Sequence, residues 1–440
     1  VAALGLAAAL AAPAGPAAAG PGPQGAGPDG QVESFEAAGV QVLLKRVQTN
    51  QVVAAQLFIK GGTANLTPET AGIENLLLQA SQRGTRRYAK DAFNARLAAT
   101  GTTLAGTAGY DYSVLALQTV RDSWDEAWGL FAEALLHPTL APAEVELVRG
   151  QLVNAVRQRR DNPDAYVFDL SDSLFYQGHP YALNPVGTEQ GLAGIGVEQL
   201  REWHDRRLTK DNLLLVVVGN VSQQDVAAKV AMTLGPLPAT GDTGRSVANP
   251  EPGAPAVSVT ERALPTTYVR GYFPAPTLSD EEDYPALTVA LNILSTRFFE
   301  EVRTKRNLSY AVFAGLSSRL ANYGLLYVTA VEPDSAVAVM LDEVRKLKET
   351  PVASDALEQA VNVFVTRYYM GLETNADQAT QLGRYELLGG GWEEADDFVD
   401  EVRKVTPEDV QRVMRRYVSG IRFAVLGDPS KVDRALFTSM

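Results

Sequence analysis

From about Val40 the apolar positions fall into short blocks that switch between strand and helix spacing. VQVLLKR and QVVAAQLFIKGG alternate as strands do and predict a pair around Gln48-Thr49-Asn50. A helix is expected to start near Thr67-Pro68-Glu69, where a hydroxyl residue precedes proline and an acid. Further helices are predicted over Asp91–Ala99, Asp122–Leu136, Ala143–Arg160 and Tyr166–Phe175, with LAGTAGYDYSVLALQTV extended between the first two. VEQLREWHDRRL then reads as a helix, and LLLVVVG as a strand buried on both faces.

The same grammar recurs further on. Strands are predicted across Ala256–Phe273, a helix over Asp283–Val302, strands across Tyr310–Val331 and long helices from Ser335 to Leu372. PEDVQRVMRRY and FAVLGD close the second unit as VEQLREWHDRRL and LLLVVVG close the first; Val197–Leu200 and Pro407–Val410 stand 210 positions apart. This is an internal duplication of an α+β unit of roughly 200 residues, an ordinary domain size. Residues 236–255 are rich in Pro, Gly and Ser and read as a linker. The expected organisation is a tail over 1–35, domains over 36–235 and 256–440, and that linker between them.

Composition narrows the function. The chain has 440 residues, 46% of them hydrophobic and 21% charged, so it can bury more than one core. A net charge of −13 lacks the basic surface that phosphate recognition needs and argues against general nucleic-acid binding. There is no cysteine, which excludes disulfides, thiolate metal sites and a cysteine nucleophile. VAALGLAAALAAPAGPAAAG is an apolar run followed by small residues, with Ala17-Ala18-Ala19 as a cleavage pattern. It predicts a signal peptide and a periplasmic or secreted protein; no segment reads as transmembrane.

The three histidines, His137, His179 and His204, are too far apart to share one helix face as a zinc pair. No G-x-S-x-G elbow is present, and Gly389-Gly390-Gly391 reads as a loop between helices.

One segment organises the remainder. AGIENLLLQASQRGT, Ala71 to Thr85, resembles the zinc-binding segment of the pitrilysin/insulinase peptidases, in which a glycine precedes an H-x-x-E-H helix ending in a basic residue, Gly and Thr. Gly72, Arg83, Gly84 and Thr85 match that pattern. Asn75 and Gln79 stand at the histidine positions and Leu78 at the glutamate; an amide is a poor zinc ligand, and leucine accepts no proton. The resemblance also expects a third, carboxylate ligand on a later helix, where this chain has Asn154-Ala155, and an N-A-x-T edge strand, where it has Ala105 at the asparagine. In the second half, STRFFEEVRTKRNLSYAVFAG resembles a segment whose arginine and tyrosine, seven residues apart, contact substrate; Arg303 and Tyr310 match it.

The resemblance therefore implies two homologous domains, each an antiparallel-rich sheet packed with helices, forming half of a clam-shell chamber. It implies a chain that binds no metal and has no general base. Its zinc-bearing H-x-x-E-H partner would form with it a heterodimeric metallopeptidase acting on unfolded peptides, to which Arg303 and Tyr310 contribute substrate binding. The alternative is a non-proteolytic scaffold or peptide-binding protein of the same fold.

Overall fold

The computed structural model describes residues 30–241, 247–251 and 253–440; the signal-like run lies outside them. Eleven strands among these residues form two sheets. The first contains β1 (Val32–Ala37), β2 (Val40–Arg46), β3 (Val52–Lys60), β4 (Thr103–Ala108), β5 (Tyr112–Val120) and β6 (Leu213–Gly219), in the order β1-β2-β6-β3-β5-β4. The second contains β7 (Ala256–Glu261), β8 (Thr267–Pro274), β9 (Val312–Leu316), β10 (Tyr323–Ala330) and β11 (Arg422–Gly427), in the order β7-β11-β8-β10-β9.

Removing β1 makes the two orders superimposable. In each sheet one pair is parallel, β2 with β6 and β7 with β11, and every other pair is antiparallel. The duplication read in the sequence is thus a duplication of topology, and both sheets are antiparallel-rich.

Three local expectations change. β2 and β3 do not pair with each other: β6 lies between them, with Val216 opposite Leu43 on one side and Gln56 on the other. The cause is in the sequence of β6, whose seven residues are all buried and require neighbours on both edges. β1 begins at Val32, inside the stretch read as tail. The helix expected from Thr67 starts at Ile73, because the Thr67 amide is held by Thr70 Oγ1 (2.8 Å) in a turn and Gly72 takes a left-handed φ of 96°.

Side-chain alternation gives each sheet two apolar faces. Leu57, Leu115, Leu117, Leu215 and Val217 pack under the helix Trp124–Leu136. On the other face of the same sheet, Leu43, Phe58, Leu214, Val216 and Val218 pack against Ala379 and Leu382 of the helix Asn375–Leu388, which belongs to the second half of the chain. Gly383 makes this close approach possible, since a Cβ there would lie 2.2 Å from Phe58 Cζ.

The exchange is reciprocal. The helix Pro163–Phe175 of the first half brings Val167 and Phe175 onto Tyr272, Tyr323, Ala424 and Leu426 of the second sheet. Each sheet is completed by a helix from the other half. Where the halves meet, the Arg319 guanidinium lies 3.4 Å from the Tyr110 ring centre and pairs with Asp172 (3.4 Å), both charges being largely buried. No helix among the described residues is long and apolar enough to cross a membrane.

Candidate functional site

The helix Ile73–Ala80 carries the positions of the degenerate zinc motif and lies against β4, the edge strand of the first sheet. Asn75 is buried, and its Nδ2 donates to the Val186 carbonyl at 3.1 Å. Gln79 Nε2 donates to the Gly106 carbonyl on β4 at 3.2 Å. Leu78, 6% exposed, packs so closely on the same strand that a Cβ at Gly106 would lie 2.6 Å from its own Cβ.

These residues do not fit a zinc ion. Both amides are turned to backbone carbonyls as donors, and the position of the general base is filled with hydrocarbon. The helix Pro142–Asp161 runs alongside, tied by a 3.1 Å hydrogen bond from Arg83 to Gln151, yet Asn154 and Ala155 are exposed and bring no carboxylate. Among the described residues no three His, Cys, Asp or Glu side chains converge as a metal site. His179 caps a short 3-10 turn by accepting from the Tyr181 amide, and His204 Nε2 lies 2.7 Å from the Leu135 carbonyl.

Glu74 on this helix was not singled out in the sequence. It is buried against β5, accepts a 2.5 Å hydrogen bond from Ser113 and lines a cavity of about 40 Å³ with Trp203 and Arg207. Burial raises its pKa, against the opposing pull of the Ser113 hydrogen bond and the Arg207 charge. A glutamate on an amphipathic helix ordinarily signals a solvated face, so the sequence offers no sign of this one.

In the second half, the structure brings Arg303 and Tyr310 together. The helix Asp283–Phe298, expected to run to Val302, gives way to a π-helical turn over Phe299–Thr304, marked by the Lys305 amide donating to the Glu300 carbonyl at 2.9 Å. Such wide turns re-aim side chains and are concentrated at functional sites. The chain then reverses through Asn307, at φ 52°, and returns Tyr310 beneath Arg303 just ahead of β9, the edge strand of the second sheet. The Arg303 guanidinium carbon lies 4.3 Å from the Tyr310 ring centre and 4.7 Å from that of Phe299.

The electrostatics of the turn leave the pair without an acidic partner among the described residues. Glu301 is held by Lys305 (2.7 Å) and Arg306 (2.5 Å), whose hydrogen bonds bring its pKa down to about 2. The nearby acids are thus taken by the flanking cations. Among the described residues no carboxylate lies within 4.0 Å of Arg303, and the Tyr310 hydroxyl has no hydrogen-bond partner in a side chain 81% exposed. Phe299 and Phe313, 49% and 40% exposed, flank the pair. The group can donate from a fork and a phenol and can stack on an apolar or planar surface.

Residues 41–189 match the family described as Insulinase (Peptidase family M16), and residues 194–364 the family described as Peptidase M16 inactive domain. An uncharacterised zinc protease of Streptomyces coelicolor is 22% identical over 390 residues, covering 86% of this chain and 85% of that protein. The non-peptidase homolog YmxG of Helicobacter pylori is 20% identical over 389 residues, covering 85% and 89%. The crystal structure of a peptidase M16 inactive domain from Pseudomonas fluorescens superimposes with a TM-score of 0.82 at 21% identity, covering 90% of this chain and 98% of that one. With both halves matched, a shared scaffold and a motif helix whose side chains cannot hold the metal, the chain belongs to the insulinase family, peptidase family M16, with the family's inactive domain over residues 194–364.

Proposed function

We propose that this chain is the non-zinc subunit of a heterodimeric metallopeptidase that degrades unfolded peptides outside the cytoplasm. The observation that carries the reading is the stacked, exposed Arg303–Tyr310 pair, which has no acidic partner among the described residues. A scaffold has no use for a guanidinium and a phenol held together while every neighbouring charge is neutralised. Against a partner that supplies H-x-x-E-H, a carboxylate ligand and the zinc, Arg303 would hold the backbone carbonyl of the substrate. Tyr310 would donate to the oxyanion that forms at the scissile carbon. Phe299 and Phe313 supply apolar contact for side chains of an extended peptide.

The test is reconstitution. The chain is purified alone and with a zinc-bearing family member from the same organism, and zinc content, complex formation and cleavage of a quenched-fluorescent unstructured peptide are measured. Zinc and cleavage only in the complex support the proposal; cleavage by this chain alone overturns it.

One observation favours a second reading, a non-proteolytic scaffold or peptide-binding protein: a relative matched over most of its length carries the name non-peptidase homolog. Under that reading the complex forms but cleavage is indifferent to Arg303 and Tyr310.

A further inference from the structure

The helix Trp124–Leu136 covers the face of the first sheet opposite the exchanged helix, and one side of it, exposed at Gly129, borders a trough. At about 100° per residue, Trp128 and Glu133 stand on opposite flanks of that side, with Gly129 and Ala132 between them. The trough is walled on the far side by Met232 and Leu237 and has a volume of about 700 Å³.

Glu133, which lines this trough and is 8% exposed, has a buried Oε2 without a hydrogen-bond partner among the described residues. A buried carboxylate oxygen without a donor is costly, and such groups are satisfied in native proteins by a partner. The other charges lining the trough do not supply one. Lys229 is committed to Asp125 (2.5 Å) and Asp225 (3.2 Å), Arg87 lies over the Tyr88 ring, and Asp205 adds negative charge at the rim. The site is therefore apolar along its floor and acidic at one wall.

We infer that the trough binds an arginine side chain carried in an apolar peptide segment. The aliphatic stem lies over Gly129, whose missing side chain opens the trough, and the guanidinium donates to Glu133. The flanking apolar residues cover Met232, which is 73% exposed. This site is separate from the Arg303–Tyr310 pair and does not depend on the peptidase reading.

Binding of fluorescein-labelled Gly-Leu-Arg-Leu-amide to the full chain is measured by anisotropy, beside the same peptide with citrulline, the neutral isostere, in place of arginine. The arginine peptide binds at least tenfold tighter, and Glu133→Gln brings the two peptides to within about twofold of each other. Gly129→Leu occupies the floor where the stem would lie and abolishes binding. That variant keeps the fold, because a Cβ at Gly129 meets nothing within 4 Å and leucine is the better helix former. Equal affinity for both peptides, full binding by Gly129→Leu, or no binding of either peptide, which would mean a trough filled by solvent only, each overturns the inference.

Discussion

The guanidinium of Arg303 rests 4.3 Å above the ring of Tyr310, and neither group is paired with any other polar side chain among the described residues. An exposed contact of this kind contributes only about 0.5–1 kcal/mol, so its removal should be nearly silent in the folded chain. In a cleaving complex the effect is large: Arg303→Ala and Tyr310→Phe each lower kcat/KM by roughly 10²-fold, the scale of a lost transition-state donor. Thermal melts of the same variants stay close to the parent. Arg303→Lys restores little activity, because an ammonium lacks the planar fork.

Writing the motif back into the first half does not recreate a metal site. The triple change Asn75→His, Leu78→Glu and Gln79→His places a carboxylate where a leucine is 6% exposed and removes the hydrogen bond to Gly106. Urea denaturation of the triple variant should show a loss of about 2–4 kcal/mol. Metal analysis should show less than stoichiometric zinc, since Asn154 and Ala155 still offer no third ligand. Gln79→Ala alone should loosen β4, seen as faster amide exchange over Thr103–Ala108 with the rest of the sheet unchanged.

Arg319 and Asp172 join the two halves as a buried ion pair. Arg319→Ala leaves Asp172 uncompensated and should cost about 3–5 kcal/mol at pH 7. Burial already raises the pKa of Asp172, against the Arg319 charge and the Tyr110 hydrogen bond, and losing Arg319 raises it further. A group raised in the folded state favours folding below its unfolded pKa and loses that contribution as pH rises through the folded value. The cost of Arg319→Ala should therefore shrink towards pH 4, when Asp172 is protonated, as read from urea midpoints across the pH range.

Glu74 follows the same sign. Its folded pKa is raised by burial, so the native chain is favoured by the protonated form, and stability falls as pH rises from about 4 through the folded pKa. Glu74→Gln removes this titration. The difference in unfolding free energy between parent and variant should therefore change in favour of the variant from pH 4 to pH 7.5; a constant difference across that range would exclude Glu74 as the titrating group.

Much of this architecture was legible because local pattern and global role agree. LLLVVVG is apolar on both faces and became a central strand; the two closing helix–strand pairs announced the duplication. Proximity in sequence predicts β2 beside β3, but the strand between them arrives from residue 213, and proximity says nothing about such an insertion. Of the exchanged helices, the first-half one is expected over Tyr166–Phe175, whereas Asn375–Leu388 lies beyond the helices expected to Leu372; in neither case does amphipathic spacing say which sheet an apolar face will meet. At the site, the identities of Asn75, Leu78 and Gln79 told what was missing. That the amides had become clamps on Val186 and Gly106 could be seen only in three dimensions. The closeness of Arg303 and Tyr310 likewise rests on a π-helical turn and the positive φ of Asn307, neither of which has a reliable sequence signal.

The reciprocal exchange of helices also sets a schedule for synthesis. Leu43, Phe58, Leu214, Val216 and Val218 are all translated by the middle of the chain, but their cover, Asn375–Leu388, emerges near its end. At ordinary elongation rates that sheet face waits uncovered for roughly 10–30 s. The first half therefore cannot finish folding on the ribosome as an independent domain, and a nascent chain stalled before residue 375 should be the species that most needs a chaperone.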